Sequence, residues 1–189
     1  MGKLNEFHNC LIKNFKIGVS KMNIKRTEKY NSSKLYDTVI LPFTRDLSIS
    51  CNESEEIIKP VRAIIEKQLF KGEPEETYTL TLYKENSIIN IILLGLDLDS
   101  ENINNTVFLT FAKAFSKCKE LKGENIAVLW ANIFEDTNYE VLEKVCESAL
   151  LSNYEFDTYK KKKQEDIIKN IDFISSDDKF EQAIEEAKN

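Results

Sequence analysis

The stretch Thr77-Tyr-Thr-Leu-Thr-Leu-Tyr-Lys-Glu-Asn-Ser-Ile-Ile-Asn-Ile-Ile-Leu-Leu-Gly-Leu96 decides the fold. Its first half alternates Tyr78, Leu80 and Leu82 with Thr77, Thr79 and Thr81, the period-2 signature of a strand with one buried face. Its second half, Ile88 to Leu96, is almost wholly apolar, as in a strand covered on both faces. The polar link Lys84-Glu85-Asn86-Ser87 makes the two an antiparallel hairpin whose second member is the more central strand. Outward from this hairpin, strands alternate with helical periods. Tyr36 to Phe43 reads as a buried strand that Pro42 brings to its end. Glu55 to Phe70 carries Ile57, Ile58, Val61, Ile64, Ile65 and Leu69 at helical spacing, with Pro60 opening or kinking the helix and Gly72 stopping it.

Beyond the hairpin, Asn102 to Lys122 places Val107, Phe108, Phe111, Ala114, Phe115, Cys118 and Leu121 on one helical face. Asn125 to Ala131 reads as another buried strand, and Thr137-Asn-Tyr-Glu140 as a capping box that opens a helix burying Leu142, Val145, Cys146, Ala149 and Leu150. Asn170 to Ile174 is a short strand and Asp177 to Lys188 a helix, while Phe15 to Val19 is the first strand. The alternation predicts a three-layer α/β/α domain with a mixed sheet over residues 15–189, after a disordered leader at residues 1–14.

Composition narrows the function. The 189 residues are 42% hydrophobic and 31% charged, with a formal net charge of -6, which opposes general affinity for polyanions. The first residues lack the apolar core of a signal peptide, and no run is long enough to cross a membrane, so a cytoplasmic location is expected. Cys10, Cys51, Cys118 and Cys146 have no metal-ligand spacing and read as reduced thiols, the last two as small buried hydrophobes. His8, the single histidine, lies in the leader, which argues against a Ser-His-Asp or Cys-His arrangement. Asp97, Asp99 and Glu101 follow a strand end, but one acidic loop lacks the second set of ligands that a metal site needs. They read as a solvated loop. No residue is therefore assigned a catalytic or metal-binding role.

Glu147 to Lys163 runs from an amphipathic helix into Tyr154, Phe156 and Tyr159 and then the basic run Lys160, Lys161, Lys162 and Lys163. This wording resembles the end of the N-terminal domain in the leucyl (cytosol) aminopeptidase family. Phe70-Lys71-Gly72-Glu73, Glu76 to Leu80 and Ile91 to Leu96 are similar to the family's Gly-Lys turn, Thr-Leu strand and Leu-Leu-x-Gly-Leu-Gly strand, in the same order. Phe173 to Asn189 is similar to the strand and helix that lead into the catalytic domain. Ser148 and Ser152 stand where the family often has glycine, and Asp97 replaces the second glycine of the Leu-Gly pattern.

The resemblance implies a macro-domain-like fold and a non-catalytic N-terminal domain with a structural and assembly role. It further implies a C-terminal domain holding two divalent ions, zinc or manganese, and a hexameric parent. The signature Asn-Thr-Asp-Ala-Glu-Gly-Arg of that catalytic domain is absent here, and the reading frame is expected to continue past Asn189. Two alternatives remain. Lys160 to Lys163 with the preceding aromatics have the elements of a nucleic-acid contact, although four lysines on an acidic domain usually carry solvated charge. A nucleotide or ADP-ribose pocket needs glycine-rich loops around phosphate, and the five glycines here are scattered.

Overall fold

The computed structural model describes residues 22–31, 34–49, 55–84, 87–130, 138–152 and 168–188. The expected strand Phe15 to Val19, the leader, Thr137 and the run Lys160 to Lys163 lie outside them.

Six strands form one mixed sheet: β1 (Asn23–Thr27), β2 (Thr38–Phe43), β3 (Thr77–Lys84), β4 (Ser87–Gly95), β5 (Asn125–Leu129) and β6 (Asn170–Ile174), in the order β1-β6-β5-β2-β4-β3. All neighbours run parallel except the β3–β4 hairpin. The helices are α1 (Glu55–Glu66), α2 (Ile103–Glu120), α3 (Tyr139–Ser152) and α4 (Lys179–Ala187).

Alternate strand residues feed two cores, which is why the central strands are apolar throughout. Ile40, Ile92, Ile126, Val128, Ile171 and Phe173 face α2, α3 and α4. Val39, Leu41, Phe43, Ile91, Leu93 and Ala127 face the other way, where Ile57, Ile58 and Val61 of α1 pack. The α/β/α layering is thus as expected. Every residue of β2 is buried, Pro42 included. Pro42 is tolerated because β2 pairs with β5 only from Thr38 to Ile40, so its missing N–H falls past the end of that ladder.

Three expectations need correction. The first helix stops at Glu66, not Phe70, and Gly72 does not end it. Gln68, at φ 55°, takes a left-handed turn; its N–H donates to the Ile65 carbonyl and that of Leu69 to the Ile64 carbonyl. This is a Schellman stop built without glycine. Leu69 is left half exposed, while Phe70 turns back and is fully buried. Phe108 is half-buried rather than in the core, whereas Phe111, Phe115 and Trp130 are buried. The third correction is an edge strand, β1, that the sequence reading missed.

Candidate functional site

A buried polar cluster lies against Lys34 and Tyr36, between β1 and β2 in the chain. β6 and β5 stand between those two strands in the sheet. Tyr36, 4% exposed, turns inward and joins the α1-side core. Asp172 of β6, opposite Ala127 of β5, is 1% exposed. Its Oδ2 accepts hydrogen bonds from Lys34 Nζ at 2.5 Å and from Tyr36 Oη at 2.8 Å. Asp172 Oδ1 has no partner among the described residues. A buried carboxylate of this kind is tolerated because one cation and one hydroxyl converge on it.

Tyr30 stacks on Tyr36 with ring centroids 5.4 Å apart, and Lys34 Nζ lies 5.1 Å from the Tyr36 centroid. Burial, followed by the hydrogen bond and charge of Asp172, pushes the Tyr36 phenol well above its ordinary range. Burial and then Glu56 raise Tyr30 in the same direction. Both phenols therefore stay protonated at neutral pH. Lys34 and Tyr36 are both spent on Asp172, so the cluster acts as a clasp that fastens these two residues to β6.

Ligands of open α/β sheets gather at the carboxyl ends of the strands, and here β2 ends between β5 and β4. There Asp46 accepts hydrogen bonds from Thr44 Oγ1 and, at 2.8 Å, from Ser48 Oγ. Those two bonds lower its carboxyl pKa. Asp97 Oδ1 accepts the Asp99 N–H at 3.1 Å in a local turn, so the acidic loop bonds to itself.

Gly72 and Gly95 serve chain packing. A Cβ on Gly95 would lie 2.0 Å from the Glu73 carbonyl oxygen, and one on Gly72, at φ +67°, 2.6 Å from that of Thr44. Their open sides are filled by the chain itself, leaving no cradle for a phosphate at either position. No three His, Cys, Asp or Glu side chains converge on a metal position among the described residues. A two-metal centre does not fit this donor set. Cys118 and Cys146 are fully buried, and burial raises both thiols well above their ordinary pKa.

The sequence signature of the cytosol aminopeptidase family, N-terminal domain, matches residues 52–163. The chain belongs to the cytosol aminopeptidase family. It is 27% identical over 131 residues to a Clostridium perfringens protein named "Probable cytosol aminopeptidase", covering 69% of this chain and 26% of that one. A Clostridium tetani protein of the same name is 30% identical over 121 residues, 63% of this chain and 24% of that one. The chain thus spans about a quarter of the length of these aminopeptidases. Its fold is that of a tomato leucine aminopeptidase mutant, with a TM-score of 0.66 at 15% identity over 90% of this chain and 36% of that one. The bottromycin maturation enzyme BotP, solved in complex with Mn, gives 0.51 at 13% identity over 80% of this chain and 28% of that one.

Proposed function

We propose that this chain is the non-catalytic N-terminal domain of a cytosolic leucyl aminopeptidase. Its role is structural: it flanks a C-terminal catalytic domain and contributes subunit contacts to a homo-oligomer, a hexamer in the parent enzyme. The observation that carries the reading is the family match to the N-terminal domain, joined to a donor set that does not fit a two-metal centre among the described residues. Hydrolysis in such enzymes rests on two divalent ions, which polarise the scissile carbonyl and activate water. That work, with zinc or manganese, belongs to the catalytic domain. This domain supplies a rigid α/β body, and its buried clasp fixes Lys34 and Tyr36 to β6.

The test mixes the 189-residue chain with a separately expressed cytosol aminopeptidase catalytic domain and follows both turnover of leucyl-anilide and binding between the two. The chain alone is expected to give no turnover with zinc, manganese or cobalt, yet to bind the catalytic domain. Saturable, metal-dependent turnover by the chain alone overturns the non-catalytic assignment. Tight ADP-ribose or DNA binding in place of domain docking would turn the assignment toward a ligand-binding module.

A further inference from the structure

β3 closes the sheet, and among the described residues nothing pairs with its outer side. Edge strands are normally blunted by proline, bulges, shortness or mid-strand charge. β3 shows none of these between Thr77 and Tyr83: it has eight residues, pairs with β4 in unbroken register and carries its one charge, Lys84, at the end. The opposite edge differs. β1 has five residues centred on Lys25, so antiparallel self-pairing would set Lys25 against Lys25.

The Gly95 N–H donates to the Glu76 carbonyl, and Lys84 faces Ser87 where the hairpin turns. In an antiparallel ladder, hydrogen-bonded and non-bonded pairs alternate. This phase turns the backbone groups of Tyr78, Leu80 and Leu82 toward β4, and those of Thr77, Thr79, Thr81 and Tyr83 outward.

We propose that the outer edge of β3 is a self-association surface, on which a second copy of this chain pairs its own β3 antiparallel about a two-fold axis at Leu80. That register sets Thr77 opposite Tyr83 and Thr79 opposite Thr81, so all four outward residues exchange backbone bonds with the partner copy. A shift of two residues either way loses a pair. The same register brings Glu76 opposite Lys84 at both ends, a charge complement that an arbitrary register lacks. Lys84 Nζ already contacts Glu56 Oε2 at 2.6 Å, and Glu76 Oε2 accepts the Lys71 and Glu73 amides, so the pairing joins existing contacts without displacing them. Pairing also covers Tyr83, which is 80% exposed on the hairpin. The occupant is a second copy because the edge is complementary to itself.

The inference names a surface for the assembly role proposed above and rests on that reading. Sedimentation equilibrium of the 189-residue chain is expected to show a monomer–dimer equilibrium. Thr79→Pro and Thr81→Pro each remove one outward N–H that β4 does not use, and each is expected to raise the dissociation constant about tenfold or more, the equivalent of roughly 1.4 kcal/mol. With Cys10 and Cys51 changed to Ser, Leu80→Cys is expected to form a disulfide dimer on mild oxidation. Residues facing each other at a non-bonded pair stand about 4.5 Å apart, within disulfide reach. This variant tests the register even if a proline variant fails to fold.

A chain that stays monomeric at every concentration, or a dimer indifferent to both prolines and without the Leu80→Cys cross-link, overturns the edge assignment. Docking to the catalytic domain is measured separately. Its failure would strike the assembly role and leave the β3 result standing.

Discussion

Asp172 is the residue on which the interior depends most for charge balance. Lys34 is its cation, so Lys34→Met leaves a buried carboxylate held by the Tyr36 hydroxyl alone. The expected cost is about 3 kcal/mol in urea unfolding, at the low end for a broken buried pair because Lys34 is partly exposed. Tyr36 adds a pH signature. Its folded-state pKa lies above the ordinary 10.0, so the folded chain keeps this proton where the unfolded chain loses it. The stabilisation is whole below about pH 10 and is lost as pH rises beyond it. Tyr36→Phe should therefore flatten the alkaline fall in thermal midpoint. The signal for the clasp lies in Asn-Ile-Asp-Phe-Ile, where an acid takes a position that strand alternation buries. Its partners lie more than a hundred residues away, so the sequence marks Asp172 as unusual without pointing to Lys34 or Tyr36.

Among the elements, those with an apolar period were legible, and those defined by one long-range contact were not. β1, Asn-Ile-Lys-Arg-Thr, fully buries only Ile24 and carries two basic residues, so no period announces it. Arg26 reveals its logic only in three dimensions: the guanidinium bonds the Ser175 carbonyl, Asp178 and Glu181, joining the strand to the start of α4. The end of α1 was misplaced because glycine is the usual left-handed residue and Gln68 fills that position. Gln68→Gly is accordingly expected to stabilise the chain by about 0.5–1 kcal/mol, since a left-handed L-residue carries a steric penalty. Gly95→Ala should do the reverse, by about 1–3 kcal/mol, as its methyl meets the Glu73 carbonyl. On α2, Phe111→Ala should cost about 3–5 kcal/mol, read from the same unfolding curves.

At the scale of the molecule, the layered fold and the family were legible, because alternating elements and ordered motifs are distributed signals. The basic run Lys160 to Lys163 lies outside the described residues. The single tryptophan lends the architecture a further use. Trp130 follows β5 and lies 5.3 Å, edge-on, from Phe180 of α4 and 5.8 Å from Phe111 of α2. Both neighbours come from helices that cover the same face of the sheet, and the indole is 2% exposed. Its emission is therefore a one-site optical gauge of whether α4 is seated: blue-shifted while α4 stays docked, red-shifted once that helix lifts and water reaches the ring.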